Sequence, residues 1–271
     1  MVKALRLMCI LAHPDDESLG TGGILAKYAQ EGVETYLVTA TRGEHGWAGD
    51  MTTYPGPEQL GQRREAELNA AAAVLRIKQV DFLDYIDGKL DQANAIEAVA
   101  QIVRLIRRIQ PHVVVTFGPD GGYGHPDHIA ISQFTTAAIL CAADPSYTQI
   151  QGEGSYRISK LYYYTLGKEQ IKVYQETFGE LSIDVDGKLR DASGWQPWTI
   201  TTHIDTEDYW QTVWQAVCCH RSQLVNFQSL EQQPAETHKK LWGHQTFYRA
   251  LSLVNGGRIV ETDLFDGLRN D

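Results

Sequence analysis

Short apolar runs alternate with longer segments of helical composition through the first two-thirds of the chain. Runs rich in Val, Ile and Tyr predict strands at residues 5–12, 33–40, 79–83, 112–117 and 160–166. Helices are predicted at residues 17–30, 58–76 and 93–109, with Asp91 as an N-cap, and from Pro126 to about Cys141. This alternation predicts an α/β fold with a Rossmann-like, mostly parallel sheet and helices on both of its faces.

The last third of the chain has a different pattern. Alternation around Asp186-Gly187 predicts a hairpin at residues 181–190, and a second alternating stretch covers residues 198–204. We expect Asp205 to cap a helix that runs to about Gln223, followed by a helical piece near residues 234–241 and an apolar stretch at 246–254. The sequence therefore predicts one domain over residues 1–271, with a Rossmann-like core at 1–166 and a C-terminal α+β elaboration at 167–271.

The composition limits the classes of partner. Apolar residues make up 43% of the chain, and 24 Lys and Arg against 34 Asp and Glu give a net charge of −10. Nucleic acids and anionic membranes attract basic surfaces, so this balance argues against both. No apolar run approaches the ~18 residues of a spanning helix. The four cysteines form no C-x-x-C pair, which favours free thiols in a reducing cytoplasm.

Two clusters of histidine and aspartate follow predicted strands. Residues 12–17 read AHPDDE after the first strand, and residues 124–128 read GHPDH after the strand that ends near Phe117. Each cluster alone is also explained by a helix N-cap turn. Imidazole and carboxylate are ligands of zinc and related metals, and the spacing lets His13 and Asp16 converge on one ion. His125 and His128 share that spacing, so the two strand ends together predict a divalent metal site.

Both motifs closely resemble those of the zinc-dependent N-acetylglucosaminyl deacetylases of the LmbE/PIG-L type. Weaker matches at residues 41–44 (TRGE), 64–67 (REAE) and 220–223 (HRSQ) extend the resemblance over residues 5–225. It implies an enzyme that removes the acetyl group from an N-acetylglucosamine-type sugar or its conjugate. It also implies a homo-oligomer, although no surface pattern in the sequence predicts one.

The resemblance also implies a role for individual residues. One zinc ion per chain, or Fe²⁺ or another divalent metal, would be held by His13, Asp16 and His128. Asp15 would be the general base, His125 would stabilise the oxyanion or act as an acid, Asp127 would orient His125, and Tyr123 would contact the tetrahedral intermediate. The residues expected to bind the substrate are Glu44, Arg64, Asp87 and His220.

This residue set meets the chemical demands of amide hydrolysis. A divalent ion lowers the pKa of a bound water from about 16 towards about 7 and polarises a carbonyl. Asp15 can then accept the water proton, whereas either Asp15 or His125 could protonate the leaving amine. Two alternatives are an amidase of the same scaffold that cleaves a larger acyl or cysteinyl conjugate, and a metal-binding protein without turnover. Retention of Asp15, His125 and Asp127 argues against the second alternative, because binding alone needs no base.

Two further segments allow a structural and a functional interpretation. The loop at residues 42–57 contains Trp47 and Tyr54 and suits either a sugar-binding rim or a packed surface loop. The glycine-rich residues 20–23 lack the third glycine of a dinucleotide site, because position 25 is Leu25. We therefore expect these glycines to allow close packing of a helix.

Overall fold

The computed structural model describes residues 4–150, 152–257 and 259–269, so the ends of the predicted domain and residues 151 and 258 lie outside the described residues. The strands are β1 (Arg6–Leu11), β2 (Glu34–Thr41), β3 (Gln79–Tyr85), β4 (Val113–Phe117), β5 (Lys160–Thr165), β6 (Ser182–Val185), β7 (Lys188–Asp191), β8 (Thr202–Asp205) and β9 (His244–Ser252). The helices are α1 (Asp16–Leu19), α2 (Gly22–Gln30), α3 (Pro57–Val74), α4 (Ala95–Ile109), α5 (Gly121–Gly124), α6 (Pro126–Ala143), α7 (Lys168–Phe178), α8 (Trp210–Val217), α9 (Gln228–Glu231) and α10 (Ala235–Trp242).

A seven-stranded sheet in the order β3-β2-β1-β4-β5-β9-β8 forms the centre of the fold. Strands β1 to β5 are parallel, whereas β9 is antiparallel to both β5 and β8. The predicted fold class is confirmed, and all five predicted strands of the core are present. Chain connections run in opposite directions on either side of β1 and β4, so a crevice opens between the carboxyl ends of these two strands.

The helices form two groups. Helices α4 and α6 pack against each other, while α2 and α3 both pack against α8. Right-handed crossovers on the two sides of the β1–β4 junction place the two groups on opposite faces of the sheet. Strands β1 and β4 are buried between them, apart from Arg6 at the start of β1. Among the described residues, no helix is both long and apolar enough to cross a bilayer.

The single helix predicted at residues 17–30 is wrong, because it is divided into α1 and α2. Gln245 of β9 lies at the break, where its side chain accepts a hydrogen bond from Ile24 N (2.7 Å) and donates one to Gly20 O. A Cβ at Gly23 would lie only 2.8 Å from Gln245 Oε1 and from Thr206. The glycines therefore allow close packing, as predicted, and the long-range contact with Gln245 ends the first helix.

Two predicted helix starts also differ from the structure. The N-cap of α4 is Asn94, whose side chain accepts a hydrogen bond from Ile96 N, whereas Asp91 lies in a preceding 3-10 turn. Asp205 accepts a hydrogen bond from Glu207 N (3.0 Å) but precedes Thr206, which is the N-cap of a short 3-10 turn. The helix that follows covers Trp210–Val217 and ends well before Gln223.

The C-terminal part joins the same sheet through β8 and β9, and the predicted hairpin around Asp186-Gly187 is formed by β6 and β7. Glu261 fixes the later chain to the sheet. Its carboxylate accepts hydrogen bonds from Lys160 Nζ (2.8 Å), Tyr162 Oη (2.7 Å) and Thr202 Oγ1 (3.0 Å). One domain over residues 1–271 stays a prediction, although the two parts share this sheet.

Replacement of Glu261 by Gln tests how strongly this contact holds the fold. Lys160 and Glu261 side chains are both 0% exposed, so Glu261→Gln leaves a buried ammonium without its counter-charge. We expect the free energy of unfolding to fall by about 3–5 kcal/mol in urea denaturation at pH 7. The exposed Glu176→Gln serves as the control and should change it by less than about 0.5 kcal/mol. Equal effects of the two substitutions on the free energy of unfolding would contradict a stabilising role of the Glu261–Lys160 contact.

Candidate active site

The two histidine clusters meet in the crevice between β1 and β4. The AHPDDE segment follows β1 directly, and the GHPDH segment leads into α6. His125 is the N-cap of α6, where its Nδ1 accepts a hydrogen bond from Asp127 N (3.2 Å), and Pro126 begins the helix. The ring centroids of His13, His125 and His128 lie between 4.7 and 5.1 Å from one another. The structure thus brings the two predicted clusters together.

Three side chains present donor atoms at the spacing of metal ligands. His13 Nδ1 lies 3.2 Å from His128 Nε2 and 3.7 Å from Asp16 Oδ2, and His128 Nε2 lies 3.5 Å from Asp16 Oδ1. Ligand atoms about 2.0–2.1 Å from a tetrahedral zinc are about 3.3 Å apart. The geometry of His13, Asp16 and His128 therefore fits one divalent ion.

Hydrogen bonds behind these side chains fix the direction of each lone pair. His128 Nδ1 lies 3.2 Å from Gly121 O and can donate its proton there, which leaves the lone pair on Nε2. The His128 ring stacks on Phe117 at 3.9 Å. Asp16 Oδ2 accepts hydrogen bonds from Ala12 N (3.1 Å) and His13 N (2.8 Å). A histidine ligand normally donates its second ring N–H to such an acceptor.

His13 has two carboxylates behind it. Its Nε2 lies 3.2 Å from both Asp127 Oδ2 and Asp87 Oδ1. Burial lowers the pKa of His13, but its hydrogen bonds with these carboxylates outweigh burial and raise that pKa to about 10. A divalent ion that binds Nδ1 therefore displaces a proton from the ring.

Asp127 was expected to orient His125, and the structure places its backbone N–H on His125 and its carboxylate on His13. The carboxylate of Asp127 is fully buried, contacts His13, and accepts hydrogen bonds from Gly88 N (2.7 Å) and Leu90 N (3.0 Å). Only its backbone N–H reaches His125. Asp127 therefore connects the loop after β3 to the His13 ring.

Two other groupings of potential ligands occur in the described chain. They are His13 with His125 and His128, and His13 with Asp87 and Asp127. Because His125 Nδ1 accepts a backbone N–H, the ring proton lies on Nε2, which is then a donor. Asp87 Oδ2 accepts a hydrogen bond from His45 N (3.0 Å). The proton on Nε2 argues against His125 as a ligand, whereas the choice of Asp16 over Asp87 and Asp127 stays a prediction.

Asp15 adopts a strained backbone conformation beside this set. Its φ is 113° and its ψ is −27°, a region that residues other than glycine rarely occupy. Such a conformation costs about 1–3 kcal/mol and persists only where the surroundings enforce it. Burial raises the pKa of Asp15 above the ordinary aspartate range, although the neighbouring Arg64 acts in the opposite direction. The carboxylate is therefore a stronger base than an exposed aspartate.

Arg64 on α3 is buried against the segment of Pro14 and Asp15 that follows β1. Its Nη2 donates to Asp15 Oδ2 (3.0 Å) and to Pro14 O, and its Nη1 donates to Gly43 O (2.9 Å). Gly43 has a φ of 64°, and a Cβ there would collide with the guanidinium. Arg64 thus neutralises and orients Asp15, while its Nε is buried without a hydrogen-bond partner among the described residues.

Glu44 and Asp87 form a linked pair at the edge of the site. Asp87 N donates to Glu44 Oε1 (2.9 Å), and Glu44 Oε2 is buried without a hydrogen-bond partner in the part of the chain that the structure describes. Tyr123 lies on the other side, with its ring 5.9 Å from His125 and 5.5 Å from His128. Substrate contacts by these residues and Arg64 stay predictions.

His220 is close to the site but buried, so the structure gives no support to its predicted substrate contact. The residue is 1% exposed, and its Nε2 lies 2.7 Å from Glu17 Oε1. Burial lowers the pKa of His220, yet the Glu17 carboxylate outweighs burial and raises it. Glu17 is itself fully buried and received no role from sequence. The position of Glu17 at the end of the AHPDDE motif was the one sequence feature that could have indicated a role for it.

Comparison with known proteins agrees with this geometry. Residues 8–139 match the family described as PIG-L, GlcNAc-PI de-N-acetylase. The chain is 34% identical over 241 residues to 1D-myo-inositol 2-acetamido-2-deoxy-alpha-D-glucopyranoside deacetylase 2 of Saccharopolyspora erythraea, across 80% of this chain and 83% of that protein. The chain belongs to the PIG-L family.

Two further relatives have names that state different reactions. A 29% identity over 298 aligned positions covers 100% of both this chain and mycothiol S-conjugate amidase of Streptomyces coelicolor. A 39% identity over 173 residues relates it to 1D-myo-inositol 2-acetamido-2-deoxy-alpha-D-glucopyranoside deacetylase of Rhodococcus erythropolis, over 54% of this chain and just over half, 56%, of that protein.

Solved structures share the fold at low sequence identity. N,N'-diacetylchitobiose deacetylase of Pyrococcus horikoshii has a TM-score of 0.68 and 20% identity, over 91% of this chain and 84% of that one. The 4-carboxy-2-hydroxymuconate hydratase of Pseudomonas putida has a TM-score of 0.66 and 17% identity, over 93% of this chain and 99% of that one. Since a hydratase shares it, the fold does not determine the reaction.

Two substitutions separate the competing ligand sets. Asp16→Ala removes one donor of the set of His13, Asp16 and His128, so the purified protein should lose at least 90% of its metal, roughly, after dialysis. His125→Ala should retain about one divalent ion per chain, because His125 lies outside this set. Mass-spectrometric metal analysis measures both. Metal loss from His125→Ala with retention in Asp16→Ala would favour the three-histidine set instead.

Proposed function

We propose that this chain is a metal-dependent hydrolase that removes the N-acetyl group from an N-acetylglucosamine-type sugar or its conjugate. The observation that carries the proposal is the juxtaposition of three groups in one crevice. A divalent-ion ligand set, a buried carboxylate of raised pKa at Asp15 and a ring N–H at His125 lie together after β1 and β4. Binding alone would need only the first of these.

His13, Asp16 and His128 are the residues that would hold the ion, and zinc is the expected metal, with Fe²⁺ as the alternative. When bound, the ion supplies Lewis acidity to the amide carbonyl and to the attacking water. Asp15 accepts the water proton, since its carboxylate lies outside the proposed ligand set and is held in place by Arg64.

His125 donates a hydrogen bond to the carbonyl oxygen as negative charge develops there. Its Nδ1 accepts the Asp127 N–H, so the ring proton lies on Nε2, which can donate it. Burial, followed by the charge of His13, lowers the pKa of His125 to about 4, so the ring is neutral at pH 7. Comparable donors elsewhere contribute about 2.7–4 kcal/mol to transition-state stabilisation.

The same hydrogen bonds support Asp15 as the group that returns the proton to the leaving amine. A neutral His125 that gave up its Nε2 proton would become an imidazolate anion, which a buried site does not stabilise. Asp15 holds the proton taken from water and can return it to nitrogen. We therefore assign both proton transfers to Asp15, with His125 as a hydrogen-bond donor.

The substrate-facing groups suit a hydroxylated molecule. Glu44 Oε2 is a buried acceptor that lacks a hydrogen-bond partner among the described residues, and Arg64 Nε is a buried donor in the same position. A sugar supplies hydroxyl groups that can both donate and accept. These two atoms support the proposed roles of Glu44 and Arg64 in substrate binding, and Asp87 is linked to Glu44 by a hydrogen bond.

An amidase that cleaves a larger acyl or cysteinyl conjugate is the second candidate, favoured by the match along the full length of mycothiol S-conjugate amidase. Amine release from N-acetylglucosamine conjugates should exceed release from acyl-cysteine conjugates if deacetylation is correct. A reversed order of kcat/KM would support the amidase.

The cellular setting is a separate proposal. Cys9, Cys141, Cys218 and Cys219 are free thiols, which supports a reducing compartment such as the cytoplasm. Formation of a homo-oligomer stays a prediction.

Replacement of Asp15 by Asn tests its role as the base. The amide side chain keeps the size of the carboxylate but cannot accept a proton, so kcat should fall about 10²–10⁴-fold. Metal content should remain at about one ion per chain, because Asp15 lies outside the ligand set. Steady-state amine release and metal analysis measure the two effects. Normal turnover by Asp15→Asn would show that another group is the base.

Removal of the metal provides an independent test. Dialysis against a chelator should reduce amine release to background, and one equivalent of Zn²⁺ or Fe²⁺ should restore it. A chelator-treated protein that contains no metal and keeps full activity would exclude the proposed chemistry.

A further inference from the structure

We propose that Glu17 and His220 are positioning residues, which hold the backbone of Asp15 in the conformation that aims its carboxylate at the substrate. The proposal rests on the proposed function, because it gives Asp15 the role of base. It assigns a function to a buried pair that lies behind the site and does not contact the substrate.

The strained backbone of Asp15 is fixed on both sides. Its N–H donates to Glu17 Oε2 (2.9 Å), and its carbonyl oxygen accepts hydrogen bonds from Ser18 N (3.0 Å) and Leu19 N (2.9 Å). The carbonyl bonds would form in any helical turn, whereas the bond to Glu17 depends on a side chain. Glu17 is thus the side chain that holds the N–H of Asp15 in this conformation.

Glu17 is in turn held by His220 and Ser18. Its Oε1 lies 2.7 Å from His220 Nε2 and also accepts a hydrogen bond from Ser18 Oγ. Both oxygens of the carboxylate are therefore engaged, one with the backbone of the base and the other with His220. Glu17 and His220 are 0% and 1% exposed, and the atoms with which they face each other are already bonded, so the pair lies behind the site.

His220 belongs to a short segment, residues 220–223, which we call the clamp segment. Ser222 donates to Glu67 from its N (2.8 Å) and its Oγ (2.6 Å), and Gln223 Nε2 donates to Gly46 O (2.7 Å). Glu67 lies on α3, one turn after Arg64, and Gly46 follows the loop to which Arg64 donates. The clamp segment therefore connects the backbone support of Asp15 to the helix that supports its carboxylate.

The opposing explanation is that this pair only stabilises the fold. A double-mutant cycle separates the two explanations, because a residue that acts through Asp15 has no further effect once Asp15 is disabled. Glu17→Met removes both acceptors at similar volume, and Glu17→Gln keeps a carbonyl acceptor for Asp15 N. Asp15→Asn supplies the disabled background.

We expect Glu17→Met to lower kcat about 10- to 100-fold with KM changed less than about threefold and with metal retained. Glu17→Gln should recover most of that loss. In the Asp15→Asn background, Glu17→Met should change kcat by less than about twofold. Similar losses in both backgrounds, or a loss of metal from Glu17→Met, would overturn the proposal.

Two controls complete the experiment. Glu261→Gln is a matched change of a buried carboxylate at the opposite end of the sheet, beside the first residue of β5, and should lower Tm without a change in kcat. Assays run at a temperature at which circular dichroism shows each variant folded. If Glu17→Met does not fold, His220→Leu replaces it, with an expected loss in kcat of about tenfold.

A crystal structure of Glu17→Met, or of His220→Leu if it replaces Glu17→Met, keeps this test separate from that of the proposed function. The φ of residue 15 should leave the value of 113° that it has here. A φ that stays at this value overturns the positioning role even if no substrate is found. If wild type releases no amine from any conjugate while φ shifts, the proposed hydrolase activity fails and the structural role stands.

Discussion

The site depends on neutralisation of several carboxylates that are buried in one corner of the fold. Each carboxylate has a defined partner, and for most of them a peptide N–H supplies it. Asp127 accepts from Gly88 and Leu90, Asp16 from Ala12 and His13, and Glu17 from Asp15. Because peptide groups move only with the chain, these bonds fix the carboxylates more firmly than flexible cations would. The local negative charge that remains faces the nitrogen atoms of His13 and His128, which is where a cation belongs.

Sequence patterns predicted those features of the fold and the site that depend on neighbouring residues along the chain. Apolar runs located the five core strands, and parallel order brings the ends of β1 and β4 together, so AHPDDE and GHPDH meet. Sequence did not predict contacts between distant segments. The break at Gly20 requires Gln245, the burial of His220 requires Glu17, and Asp127 turns to His13 because the loop after β3 holds it. Such contacts join residues that share no periodicity, so no local pattern contains them.

Because a hydratase has the same fold, the sheet determines where a site lies, and its side chains determine which reaction occurs there. The family match covers residues 8–139, which include the proposed ligand set and base. The side chains that fix Asp15 from behind come partly from beyond this range, through the clamp segment. The C-terminal part thus supplies side chains that support the surroundings of Asp15, besides extending the sheet by β8 and β9.

The backbone of Asp15 also has a consequence for how this protein can evolve. A positive φ at a residue with a side chain is a local sacrifice of stability, and glycine would adopt the same conformation without strain. A glycine there would relieve the strain and at the same time delete the proposed base. Selection for stability and selection for turnover therefore oppose each other at this position. In the proposed mechanism, the protein gives up folding stability at Asp15 to place a carboxylate base there.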